Sequence, residues 1–95
     1  MFRYWVYIVG NKGATTIYIG VTNNIKRRIA EHKAGDVAGF TQRYKCDRLL
    51  YYEEQPNVKS AIAREKELKS WRRDRKEALI ASLNPHRRDL AEDWY

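Results

Sequence analysis

Tyr4 to Val9 (YWVYIV) is an unbroken run of aromatic and β-branched side chains. No polar residue alternates with them, so the segment suits a strand covered on both faces. Such a strand needs other elements layered against it. Gly10-Asn11-Lys12-Gly13 supplies a turn signal directly afterwards, and Thr16 to Val21 (TIYIGV) reads as the returning strand. In a hairpin symmetric about Lys12 and Gly13, positions summing to 25 face each other. Tyr7 then pairs with Tyr18 on one side of the sheet. A slip of one residue would move them to opposite faces.

Thr22-Asn23-Asn24 is a helix-start cluster. The helix is expected from about Asn24 to Ala34, with Gly35 as its stop. Residues 36–47 read as a basic, polar connection, and Leu49 to Glu53 as a third strand. Asn57 caps a second helix reaching about Arg72. Arg75 to Leu83 carries Leu79, Ile80 and Leu83 at helical spacing, and Asn84-Pro85 ends it. The order β-β-α-β-α-α predicts an α+β domain, a three-stranded antiparallel sheet flanked by helices. Ninety-five residues leave room for one core. That domain is assigned to residues 1–85 and a C-terminal tail to residues 86–95.

Composition removes several classes of function. The single cysteine, Cys46, rules out an intramolecular disulfide and a thiolate zinc cluster, and reads as an ordinary buried or free thiol. No apolar run approaches the roughly 18–20 residues that span a bilayer, so no membrane role and a cytoplasmic location are expected. The formal net charge is +7. It is concentrated in residues 1–50, where nine basic side chains face three acidic ones. A field of that sign favours a polyanion, most simply nucleic acid, although charge runs are often only solvated surface. Lys26, Arg27, Lys33, Arg43, Lys45 and Arg48 are the candidate phosphate contacts. Lys69, Arg72, Arg73, Arg75 and Lys76 could add to them.

Two charged residues stand where helix geometry expects apolar ones. At about 100° per residue, Ile25 and Ile29 mark the core-facing stripe of the first helix, and Arg28 and His32 fall on it while Arg27 points away. An arginine so placed is paired, borders a cleft, or snorkels past the core. In the second long helix Val58, Ala61, Ile62 and Leu68 mark the stripe. Glu65 lies within it, and Glu67 is on the opposite face. A lone inward carboxylate calls for a salt bridge, a hydrogen-bonded network or a divalent cation. Two tyrosines, an arginine, a histidine and one carboxylate suit metal-assisted phosphodiester hydrolysis better than acyl transfer, which wants a nucleophile–base pair, or glycosyl transfer, which normally wants two carboxylates.

These residues resemble the GIY-YIG nuclease superfamily, and in particular its small stand-alone bacterial members. Tyr18-Ile19-Gly20 matches the second half of the name motif, and Trp5-Val6-Tyr7 the first, with Trp in place of Gly. Arg28, eight residues after Gly20, looks like the family's arginine, His32 matches a position often His or Tyr, and Glu65 looks like its metal-binding glutamate. The resemblance implies an endonuclease acting on DNA, with RNA as a second option, in repair or recombination. It implies one Mg²⁺ or Mn²⁺ on Glu65. Tyr7 or Tyr18 would orient or deprotonate the attacking water, His32 would be a relay or the base, and Arg28 would stabilise phosphoryl charge. Gly20 would let backbone approach the phosphate. The departures at Trp5 and Val21 keep a second reading open, a nucleic-acid-binding module with weak or lost catalysis. With no separate DNA-binding module in this sequence, specificity is left to unusual DNA structures or a protein partner, and the chain is expected as a monomer or weak dimer.

Overall fold

A computed structural model describes residues 3–95; Met1 and Phe2, which open the expected domain, lie outside the described residues. The element order is β1 (Tyr4–Gly10), β2 (Ile17–Thr22), α1 (Ile25–Ala34), α2 (Phe40–Arg43), β3 (Arg48–Gln55), α3 (Val58–Ser70) and α4 (Arg73–Leu83). The sheet is antiparallel in the order β2-β1-β3, so the apolar run occupies its centre. That position explains its composition. Val6 and Ile8 pack on one face with Ala61 and Leu68 of α3 and Ile80 of α4. Tyr7 and Val9 pack on the other with Ile25 and Ile29 of α1 and with Ala91. Each fully buried aliphatic side chain contributes on the order of 1.5–3 kcal/mol. No helix of the described residues is long and apolar enough to cross a membrane.

The hairpin register differs from the expected one. Tyr7 faces Gly20, and Tyr18 faces Val9. The turn is centred one residue later than expected because Asn11 closes a six-residue loop. The Asn11 amide donates to the Thr16 carbonyl at 3.2 Å and the Ala14 amide to the Asn11 carbonyl at 2.9 Å. The Asn11 side-chain oxygen accepts from the Thr16 amide, and Ala14 takes the left-handed φ of 52°. Moving the centre by one residue shifts the pairing by two. Side-chain parity therefore survives, and Tyr7 and Tyr18 stay on one face as diagonal neighbours.

Helix termini follow their caps. The Asn24 side chain accepts from the Arg27 amide, and Gly35 stops α1 at φ 75°, a conformation glycine adopts without steric cost. Asn57 accepts from the Ser60 amide to start α3. The connection expected as irregular over residues 36–47 contains the one-turn helix α2, and Arg73 rather than Arg75 opens α4. Two stripes rotate relative to expectation. Val58, Ile62 and Leu83 are exposed, because Ala61, Leu68 and Ile80 face the sheet.

The C-terminal segment docks on β3. The Leu90 amide donates to the Leu49 carbonyl at 2.8 Å, and the Asp89 carboxylate accepts from the Leu49 and Ala91 amides. Trp94 meets Tyr52 edge-on, and the Tyr95 hydroxyl donates to the Lys26 carbonyl at 2.6 Å. Residues 89–95 thus tie β3 to the start of α1.

Candidate active site

Tyr7 is the centre of the site. It points from the middle strand towards α1, is 3% exposed, and lies directly over Gly20. A β-carbon built on Gly20 would meet the Tyr7 hydroxyl oxygen at 2.4 Å and its Cζ at 2.5 Å. The space expected to admit a phosphate at Gly20 is therefore filled by the phenol. This glycine is required because a tyrosine packs on it.

Only Asn23 and Asn24 separate β2 from α1, so the first turns of α1 lie close to the sheet they follow. The stripe that buries Ile25 and Ile29 also buries His32. His32 Nε2 is hydrogen-bonded to the Tyr7 hydroxyl at 2.9 Å, the rings meet edge-on, and Tyr18 lies 6.2 Å from the imidazole centroid. The other imidazole nitrogen, Nδ1, is buried without a hydrogen-bond partner.

Burial dominates the protonation of this pair. The Tyr7 phenol is raised above its usual range, first by burial and then by Tyr18, Glu65 and Glu31, while Arg28 acts in the opposite direction. Burial, assisted by the Arg28 charge, pushes His32 down from the usual 6.5 to about 4. His32 is therefore a neutral imidazole at pH 7. Between pH 6.5 and 4 the unfolded chain binds a proton at this histidine that the folded chain does not. Stability is fully present above pH 6.5 and falls as the pH drops towards 4. The expected loss is on the order of 3 kcal/mol. Urea titrations at pH 7 and pH 4.5 should show it, and His32→Gln should flatten the difference. An equal acid sensitivity in that variant would place the proton uptake elsewhere.

Arg28 and Glu65 approach the phenol from different elements. Arg28 stands at the edge of the α1 stripe, partly exposed, and its Nη1 pairs with Glu31 Oε1 at 3.2 Å. Glu65 is on α3, which packs on the other sheet face but runs beside the edge strand β2. One turn on, Lys69 sits 5.8 Å from the Tyr18 ring centroid and 3.6 Å from Glu65. Both charges bear on the ionisation of the Tyr7 phenol, Arg28 lowering it and Glu65 raising it. Neither serves as the other's ion-pair partner. Arg27 and Glu67, their sequence neighbours, are exposed.

The remaining basic candidates are dispersed. Lys26 is exposed at the start of α1. Arg27 reaches Asn23 and Glu31. Arg43 lies over the Tyr44 ring, Lys45 is exposed with φ 54°, and Arg48 donates to the Lys12 carbonyl. Lys33 differs from expectation most. Its ammonium is held by the Asp89 carboxylate and the Asp47 carbonyl, which engages it in docking the C-terminal segment. Cys46 is buried and its thiol is raised by that burial. Glu31 and Phe40 were not singled out by the sequence, and Lys69 was only as an additional phosphate contact, not as the partner of Glu65. Glu31 and Lys69 carry a legible signal, since they stand three and four residues from Arg28 and Glu65 on the same helices.

Among the described residues no group of three His, Cys, Asp or Glu side chains could cage a metal. A hard cation that retains water and takes phosphate oxygens from substrate needs only one or two carboxylates. Glu65, partly buried on α3 beside the edge strand that carries Tyr18, fits that donor set. A groove of about 580 Å³ is lined by Glu67, Ser70, Trp71, Arg72, Asp74 and Arg75 and does not include the phenol. A second groove of about 290 Å³ adjoins Tyr18.

The GIY-YIG catalytic domain matches residues 3–78. The chain is 37% identical to a UPF0213 protein of Natronomonas pharaonis over 78 residues, 82% of this chain and 91% of the relative. It is 36% identical to a UPF0213 protein of Staphylococcus haemolyticus over 80 residues, 84% and 96% of the two chains. The solution NMR structure of a UPF0213 protein from Bacillus halodurans superimposes with a TM-score of 0.58 at 28% identity, covering 96% of this chain and 97% of that one. The motif tyrosines, the helices that carry Arg28 and Glu65, and the three-stranded sheet all fall within the matched span. The chain thus belongs to the GIY-YIG nuclease family and is a relative of the UPF0213 proteins within it.

Proposed function

We propose that this protein is a metal-dependent endonuclease that hydrolyses phosphodiester bonds in DNA. The observation that carries the reading is a buried Tyr7–His32 hydrogen bond with Arg28 and Glu65 acting on the same hydroxyl. A phenol raised by burial is a poor base on its own. With its hydrogen donated to the neutral His32 imidazole, the Tyr7 oxygen is free to accept a hydrogen bond from the attacking water and orient it, and the water's proton leaves to solvent. Tyr18 flanks the imidazole and limits where the water can stand. Arg28 places two donors towards the phosphoryl oxygens, where negative charge grows in the transition state. A divalent cation on Glu65 would supply Lewis-acid polarisation of the phosphoryl group and stabilise the departing oxygen. Lys69, 3.6 Å from Glu65, orients the carboxylate for that role.

A cleavage panel tests the proposal. Supercoiled, branched and single-stranded DNA are incubated with Mg²⁺, Mn²⁺ or EDTA. The expected result is cleavage that needs the cation and drops about a hundredfold in Glu65→Ala, in line with the loss of one preorganised electrostatic contact. Cleavage that persists in EDTA, or at the parental rate in Glu65→Ala, overturns it.

A further inference from the structure

Tyr18 begins an aromatic row that leaves the site. Its ring stacks on Phe40 with planes 29° apart and centroids 6.2 Å apart, and Phe40 meets Tyr44 at 4.7 Å. Phe40 and Tyr44 are 46% and 43% exposed. They stand on and just after α2, whose buried Thr41 anchors it: the Thr41 carbonyl accepts from the amide of the buried Cys46 at 2.9 Å. The short helix is thus fixed from beneath while its rings face solvent.

The row borders the 290 Å³ groove, whose lining combines Ile17, Tyr18, Ile19 and Phe40 with Lys69 and Lys76. That volume is close to the lower end for small-ligand pockets, roughly 300 Å³. Lys69 lies over Tyr18 in the groove, and Arg43 lies over Tyr44 beyond its Phe40 end, so the aromatic row is flanked by cations along its length. This chemistry suits a ligand that is planar and apolar on one side and anionic on the other. A nucleotide has both properties only when its base has left the duplex stack. Inside a duplex the π-faces are covered by neighbouring bases, and the protein can reach only phosphates and groove edges. An apolar peptide would use the rings but gain nothing from the cations.

We propose that Phe40 and Tyr44 form a stacking subsite for an unpaired base adjoining the phosphate handled at Tyr7, which selects DNA with single-stranded character. The placement beside that phosphate rests on the nuclease reading; the stacking itself does not.

The test measures binding in EDTA, where a metal-dependent enzyme does not cut. Fluorescence anisotropy compares a labelled single strand with a duplex of the same sequence. The single strand is expected to bind more tightly. The double variant Phe40→Ala/Tyr44→Ala is expected to lose about 10- to 100-fold of single-strand affinity, as stacking measured by alanine substitution implies. Its duplex affinity should stay within about twofold. Both side chains are exposed, so circular dichroism should match the parent, and Phe40→Trp should retain single-strand binding. Equal losses on both DNA forms, or no loss on either, overturn the subsite. A protein that never cuts but shows this selective loss keeps the subsite and defeats only the hydrolysis. One that cuts normally with Phe40 and Tyr44 replaced, and binds unchanged, does the reverse.

Discussion

Replacing Arg28 by alanine is expected to lower kcat for phosphodiester cleavage by about 100- to 1000-fold and to leave the melting temperature almost unchanged. The two halves of that expectation come from different features of the residue. Arg28 has a side chain 37% exposed, and its ion pair is with Glu31 at i+3. Exposed helical pairs of this kind contribute only about 0.3–0.5 kcal/mol, so the fold has little to lose. The guanidinium nevertheless reaches the Tyr7 hydroxyl electrostatically. Charge that develops on the phosphoryl oxygens in that low-dielectric surrounding is stabilised by such a donor by on the order of 3–4 kcal/mol. Lysine at position 28 should recover little, because a point charge cannot reproduce the two-donor fork. Arg27→Ala is the internal control. The Arg27 side chain is 61% exposed, and its loss should change cleavage less than threefold. Single-turnover rates with saturating DNA separate the alternatives. A rise in KM with kcat intact would make Arg28 a ground-state phosphate contact, and a large fall in melting temperature would make it a structural residue.

Helix periodicity reveals a great deal here because α1 and α3 are short, capped by Asn24 and Asn57, and follow directly on strands of the sheet. Arg28 is distinguished from Arg27, and Glu65 from Glu67, by rotation about the helix axis alone. The pattern was less reliable where packing partners decide orientation. Val58 and Ile62 look like core in isolation, yet α3 meets β1 and β2 through Ala61 and Leu68, and the flanking apolar residues are left in solvent. The hairpin centre was displaced because Ala14, a residue with no turn preference of its own, takes the left-handed conformation once Asn11 has bonded across the loop. The engagement of Lys33 by Asp89 spans 56 positions, a separation that no local window covers. The β3 bulge is similar. Leu49 pairs with Val9 and Tyr51 with Ile8, so Leu50 is the extra residue, and its carbonyl is taken by the Asn84 side chain at 3.1 Å. Nothing within either segment announces that contact.

The substitution Gly20→Ala is expected to damage both stability and activity, although it adds one methyl group to a residue without catalytic chemistry. The new β-carbon would overlap the Tyr7 Oη, Cζ and Cε1 atoms at 2.4, 2.5 and 2.9 Å. A flexible side chain could step aside, but this ring cannot do so cheaply. It is buried, bonded to His32 at 2.9 Å and packed edge-on against the imidazole. Either the ring is driven out of its hydrogen bond or β1 and β2 move apart in the centre of the sheet. Overpacking of this kind costs typically about 1–3 kcal/mol. Displacement of a positioned catalytic group by roughly 1 Å can cost about a hundredfold in rate. Urea denaturation and cleavage assays on the same preparation should therefore fall together. Gly13→Ala provides the contrast, because a β-carbon there meets only the Thr15 methyl at 3.8 Å. It should fold and cut like the parent. If Gly20→Ala were equally silent, the phenol could not be resting on the backbone of β2, and the Tyr7 hydroxyl bonded to His32 would have to be abandoned as the centre of the chemistry.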